Sequence, residues 1–325
     1  MMSKPKNTPP GTWAAALLAA LLAGCQAGGG AGQPLAASVR KQPWSFSGLD
    51  GTELATQHYR IYTTTDNRAV LTYLPGFMEN AHANYLALTG LSAPPGGRPM
   101  PIYMLADRPQ WAAMTEKVTA PQQKLYLAVE NGGYCYRGVC IFWDMGHFAT
   151  FSIAAHEGLH QFLHHRLKNH IPAWAEEGLA VQAEGFKMTP TAVRFDPAGN
   201  TLRLVSLRNL ISAGRWLALE KLLSTDAGDH VSGMSPAGPE YYAQLWALLM
   251  FIRSRPAYRA GLERMLADAA AGRLRKALGV PPIMGRGRAY NRAISVPAFQ
   301  QYVDRHPAAF DRDFRAYARK LARLD

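Results

Sequence analysis

Two histidines four positions apart, His156 and His160, with Glu157 beside the first, constrain this chain more than any other feature. On an α-helix, positions i and i+4 lie on one face about one turn apart. Two imidazoles so placed can grip a single divalent ion, and the intervening carboxylate can reach a water on that ion; this five-residue pattern is an established zinc motif. A rigid metal platform must itself be buried, and Ala154, Ala155, Leu159, Phe162 and Leu163 around the motif provide the apolar faces for it. The spacing therefore predicts a long core helix over residues 148–167.

Catalytic zinc takes three protein ligands and leaves a fourth position for water. The segment from Ile171 through Pro172, Trp174, Glu176, Glu177 and Gly178 to Ala180 supplies candidates for the third. Proline opens a second helix, predicted over residues 173–184, and two carboxylates follow His160 by sixteen and seventeen residues. That gap allows one helix to end, a loop to turn and the next helix to pack against the first.

HExxH followed by W-x-x-E-G-x-A resembles the gluzincin clan of zinc peptidases, and in detail the peptidase-MA-like proteins, including the bacterial group called domain of unknown function 1570. The resemblance spans roughly residues 58–255, strongly at the two motifs and weakly elsewhere. It implies an α+β fold: a zincin (thermolysin-like) catalytic domain with a mixed sheet and an active-site helix, followed by a mostly helical C-terminal lobe. It also implies one zinc ion held by His156, His160 and Glu177 rather than Glu176, with Glu157 as general base and Trp174 as a packing residue. Glu184, seven residues after Glu177 and on the same helical face, is either a group that orients a ligand or an exposed helix carboxylate. Tyr242, with Tyr241 behind it, matches the tyrosine of the second lobe that stabilises an oxyanion in these families. Residues 133–143 match the edge strand on which such enzymes lay an extended peptide. The metzincin pattern fails, because Leu163 and Arg166 stand where it needs Gly and His. His164, His165, His170 and His147 are expected outside the ligand set. Gly76-Phe77-Met78-Glu79-Asn80 spells the G-x-M-E-N of clan aminopeptidases, yet it lies far upstream in a helical pattern.

Along the rest of the chain the periodicity predicts strands at residues 58–63 and 100–106 and helices at 68–88, where Pro75 is expected to kink or delay the first turns, and at 108–117. A strand–turn–strand unit is expected over 126–144, a hairpin over 193–205, an apolar helix over 240–253 and an amphipathic C-terminal helix. The predicted domain plan is a leader at 1–24, a flexible tether at 25–43, an N-terminal lobe at 44–186 and a mainly helical lobe at 187–325.

The leader follows from Lys4 and Lys6, an apolar run over residues 13–23 too short to span a bilayer, and Leu22-Ala23-Gly24-Cys25, which looks like a lipoprotein lipobox. Lipidation at Cys25 would anchor the chain to the cell envelope, and Gln26 favours the outer membrane facing the periplasm. In that oxidising setting Cys135 and Cys140, flanking a four-residue turn, are expected to form a disulfide. The formal charge of +12, or +10 once Lys4 and Lys6 leave with the leader, suits anionic surroundings; no nucleic-acid-binding module is recognisable. The expected function is zinc-dependent peptide hydrolysis on a peptide or protein substrate, endopeptidase slightly ahead of exopeptidase. The alternatives are a metal-holding binding or assembly lipoprotein on the same scaffold, and a structural lipoprotein in which the motif is accidental.

Overall fold

The structure is a computed structural model that describes residues 32–92, 97–130, 132–225, 237–281 and 287–324. The leader, Cys25 and the start of the tether lie outside the described residues. From Gln33 onward the chain forms one compact unit of mixed α+β type.

A six-stranded mixed sheet organises the first half. Its strands are β2 (Arg40–Phe46), β3 (Leu49–Ala55), β4 (Tyr59–Thr63), β5 (Met100–Leu105), β6 (Gly133–Tyr136) and β7 (Val139–Trp143), ordered β2-β3-β4-β5-β7-β6. The central pairs β4·β5 and β5·β7 are parallel; the outer pairs are antiparallel, so β6 is an edge strand. Alternation along the strands separates two cores, as period-two side-chain placement requires. Ile102, Met104, Cys140 and Phe142 face the helices α1 (Arg68–Thr89) and α4 (His147–Arg166). Leu105, Ile141 and Trp143 face α2 (Arg108–Thr119), whose Trp111 donates its indole N–H to the Ile141 carbonyl at 3.3 Å.

Asp144, just past β7, fixes where the helices leave the sheet. One carboxylate oxygen accepts from Thr65 and Asn67, and Asn67 in turn caps α1 through the Ala69 amide. The other accepts from Thr150 in the first turn of α4. After α4 come α5 (Ala173–Ala183), the short strands β8 (Phe186–Met188) and β9 (Ala192–Phe195), and six further helices: α6 (Thr201–Ser212), α7 (Leu219–Ser224), α8 (Ala237–Ser254), α9 (Pro256–Ala271), α10 (Leu274–Ala277) and α11 (Arg288–Tyr302), with α12 (Pro307–Ala322) closing the chain. The short helix α3 (Gln123–Leu127) lies beside β6, where the Tyr126 ring packs at a tilt on Tyr134. The apolar stripe of α12 (Phe310, Phe314, Ala318, Ala322) is buried against its own unit.

Several expectations are corrected. The tether is not flexible throughout: β1 (Gln33–Pro34) joins β8 and β9 in a second sheet, Leu35 enters the core, and β2 starts at Arg40. The hairpin over 193–205 does not form. β9 pairs with β8 and β1, and Asn200 caps α6 through the Arg203 amide, so the following residues become helix. Tyr126 and Leu127 are helical rather than extended. Helix α1 runs unbroken through Pro75 from its expected start. The Cys135–Cys140 disulfide is absent, and both are free thiols. The turn between them is Arg137-Gly138 alone, which makes the cysteines direct cross-strand partners. Burial pushes the Cys140 thiol well up, with the neighbouring Cys135 adding to the shift.

The start of α5 depends on the far end of the chain. Pro172 offers no side-chain cap; instead Asn291 on α11 accepts the Ala173 amide at 2.8 Å and is itself held by the Ser295 hydroxyl at 3.0 Å. We expect Asn291→Ala to cost about 1–2 kcal/mol, as loss of a helix cap does. In a body of this size that lowers the thermal midpoint by roughly 2–8 °C. A scan that finds no change would remove Asn291 from this role.

Candidate metal centre

The helix α4 carries the two histidines to the middle of the core. Tyr85 of α1 donates to the Ala155 carbonyl at 2.8 Å, and Gln161 donates to Pro101 O and Gly138 O, so the helix is pinned to α1, β5 and the β6–β7 turn. The glycine inside each motif is a contact point. A side chain at Gly158 would strike Tyr85 and Met78, and one at Gly178 would strike Leu249 of α8. The two motif helices thus sit closer to their neighbours than alanine would permit.

The connection that swings α5 back toward α4 is held by C-terminal helices. The amides of Lys168 and Asn169 both donate to Ala269 O of α9 at 3.1 Å, and Tyr290 donates to His170 O. Trp174, fully buried, donates to Ser295 O and packs edge-on against Phe299. Glu177 is consequently delivered to the face of α4 that bears the histidines.

There the three expected ligands converge. His156 Nε2 and His160 Nε2 are 3.2 Å apart; Glu177 Oε2 lies 3.5 Å from the first and 3.6 Å from the second. Tetrahedral zinc with bonds of about 2.0–2.2 Å places its ligand atoms about 3.3–3.6 Å apart. The donor set of two imidazoles and one carboxylate is one that zinc accepts in sites with an open fourth position. Glu177 Oε2 is buried and has no hydrogen-bond partner. An orphaned buried carboxylate oxygen aimed between two imidazole nitrogens fits a cation. The same three residues form the one His/Cys/Asp/Glu group with metal-ligand spacing among the described residues.

Behind the ligands stand further acids. His156 Nδ1 is 2.8 Å from Glu184 Oε1, and His160 Nδ1 is 3.1 Å from Glu176 Oε1. Each carboxylate fixes an imidazole so that Nε2 faces the centre. Glu184 is held by the Arg203 guanidinium in a two-pronged ion pair at 2.7 and 2.8 Å and by Asn200. The Glu184 carboxylate is therefore in the orienting position, not exposed. Glu176, set aside as a ligand in favour of its neighbour, acquires a role that its sequence position alone did not disclose. Arg203 was invisible for another reason: it falls in the stretch expected to be a hairpin.

Tyr242 of α8 also faces the centre. Its ring lies edge-on to His156, centroids 6.0 Å apart, and Arg203 sits over it at 5.2 Å. Tyr241 points elsewhere, buried and donating to Thr225 O. His165 contacts Gly138 O, His147 packs on Tyr73 and Phe151, and His164 and His170 line the cleft wall outside the ligand set. Gly76–Asn80 lies within α1: Glu79 accepts from the His58 backbone amide and pairs with its ring, while Asn80 reaches Pro34 O. The string is engaged in packing there and is not on the edge strand.

The charges explain the titration of the site. Burial works against the charged form of every group, yet the adjacent carboxylates of Glu177 and Glu184 outweigh it at His156, which is pushed up to about 9 from an ordinary 6.5. His160 is likewise raised, its burial overcome by Glu177 and Glu176. Glu177 is held far below the usual carboxylate range despite its burial, chiefly by His160 and His156. Glu184 is held down to about 2, with Arg203 the largest charge opposing burial. Glu157, without such a partner, is raised by burial, and the same cause raises the Tyr242 phenol.

No family model matches the chain, and neither a curated protein nor a solved structure matches it.

Two outcomes follow for the centre. Replacing Glu184 with Gln should weaken zinc binding by about 10–100-fold in a chelator competition; unchanged affinity would mean that the Glu184 contact does not orient His156. The metal-free protein carries a stabilising protonated His156. That contribution is fully present below pH 6.5 and is lost as pH rises through about 9. The thermal midpoint of chelator-treated protein should therefore fall across this window, while zinc, which binds the neutral imidazoles, should restore it there.

Proposed function

We propose that the protein is a zinc peptidase of the gluzincin type that acts at the bacterial cell envelope. The observation that carries this reading is the convergence of His156, His160 and the unpartnered Glu177 oxygen at zinc-ligand spacing, with Glu157 beside them in a cleft. The mixed sheet with its edge strand and the buried motif helix agree with the zincin plan that the two motifs imply.

His156, His160 and Glu177 would hold the ion. When bound, zinc supplies Lewis acidity to a carbonyl oxygen and lowers the pKa of a water. The remaining steps belong to this chain. Glu157, its carboxyl raised by burial, accepts a proton from the attacking water and passes it to the nitrogen of the leaving amine as the C–N bond breaks. One water is consumed, and a carboxylic acid and an amine result. The Tyr242 phenol, kept protonated by its burial, donates a hydrogen bond to the oxygen on which negative charge develops. Glu184 and Glu176 keep the imidazoles oriented, and the neighbouring edge strand β6 offers main-chain groups to an extended peptide.

The location rests on the lipobox-like segment ending at Cys25. Among the described residues, no helix is long and apolar enough to cross a membrane, and a lipid on Cys25 would supply the attachment.

The decisive experiment compares wild type with Glu157→Gln. Both should bind one zinc per chain, because Glu157 is not in the ligand set. Cleavage of casein or a peptide library should fall by about 10²–10⁴-fold in the variant, the usual worth of a general base. Stoichiometric zinc with no cleavage that depends on Glu157 would instead favour a metal-holding binding protein.

A further inference from the structure

The metal centre lies at the middle of a cleft of about 1000 Å³ whose walls are mostly apolar. Five large hydrophobic side chains are exposed among the described residues, and three of them, Leu125, Phe148 and Leu202, line this cleft. Isolated surface hydrophobics need no explanation, but their gathering at the mouth of a site does.

Their order along α4 gives the cleft a direction. Phe148 and Ile153 precede His156 on the helix, and Leu163 and Leu167 follow His160. Apolar wall therefore flanks the metal ligands on both sides. From Phe148 to Leu167 the chain rises about 28 Å as helix, the length of about eight residues of extended peptide. Beside α4 the wall continues through Gly133, Tyr134 and Cys135 of the edge strand β6, whose outer side pairs with no described strand.

The charged lining is almost all committed. Glu157, Glu177, Glu184 and Arg203 belong to the centre, and Glu176 holds His160. Arg137 is the remaining charged residue of the wall, and it lies over the Tyr136 ring at 5.2 Å. A charged substrate side chain would lose water in this cleft and find little to pair with, at a cost that an apolar side chain does not incur.

We infer that the substrate is an extended polypeptide segment bearing large apolar side chains on both sides of the scissile bond, paired through its backbone with β6. This rests on the peptidase reading and adds the substrate class to it. Folded proteins bury such segments, so the cleft fits unfolded chain rather than a native surface.

The test uses the zinc-loaded full chain and ten-residue peptides whose four central positions are either apolar or charged. Apolar peptides should be cleaved with kcat/KM at least about 30-fold higher than charged ones. Leu125→Ser, Phe148→Ser and Leu202→Ser combined should raise KM for the apolar set about tenfold and leave kcat and zinc content in place. These positions are exposed and outside the ligand set, so the fold and the ion should survive. Uniform cleavage across the peptides would overturn the inference and leave the peptidase reading intact. If no peptide is cleaved, anisotropy of a labelled apolar peptide on Glu157→Gln protein decides the matter independently. Binding that the triple variant weakens supports the apolar cleft even where catalysis fails. No binding, or binding that ignores the triple variant, overturns it.

Discussion

A buried carboxylate oxygen with no proton donor is the constraint around which this protein is arranged. Glu177 Oε2 lies within 3.6 Å of two imidazole nitrogens and has no hydrogen bond. Leaving such a group without a cation costs several kcal/mol in an apolar interior. The cleft contains four carboxylates, of Glu157, Glu176, Glu177 and Glu184, and two guanidiniums, of Arg203 and Arg137. With every acid ionised and both histidines neutral, a net negative excess remains among these groups. Protons on the histidines relieve part of the excess, which is why both are raised. A divalent ion relieves it better, because it is shared by all three ligand atoms at once. Protons and metal therefore compete for the same two nitrogens.

The second half of the chain exists, in this sense, to hold Glu177 where it is. The loop between α4 and α5 is bound by α9 and α11, the first turn of α5 is capped by Asn291, and α5 rests on α8 through Gly178. A ligand on a single helix would be set by local geometry. A third ligand from another helix is set by tertiary packing, and here that packing comes from residues more than a hundred positions downstream. The helix α8 does two things at once, supporting α5 through Leu249 and presenting Tyr242 to His156.

Much of the centre was legible because its chemistry is local. The four-residue spacing of His156 and His160 is a helix turn, and the placement of Glu177 and Glu184 seven residues apart puts both carboxylates on one face of α5. What escaped was set by long-range contacts. Residues 33–43 follow a Gly- and Ala-rich stretch, yet 33–34 and 40–43 form strands because partners at Ala192–Val193 and Thr52–Ala55 supply the ladder. Arg203 could not be linked to Glu184 while residues 193–205 read as a hairpin. The alternating pattern there is real, but the cap at Asn200 decides for helix. The cysteine pair shows the limit of compositional inference: spacing brought Cys135 opposite Cys140 across the β6–β7 turn, yet both stand as free thiols.

The contrast between the two ends of the cleft chemistry follows from the same burial. Around the three ligand candidates, burial strengthens each charge–charge contact, so Arg203 anchors Glu184 beside His156. At Glu157 and Tyr242, which lack a partner of opposite charge in hydrogen-bond contact, burial outweighs the pull of nearby positive charge and raises both groups. One low-dielectric pocket thus sorts its groups into two sets. The paired ones stay charged and hold position, whereas the unpaired ones stay able to give up or take a proton. That sorting is what general acid–base chemistry beside a metal requires, and it arises from which side chains found partners during folding.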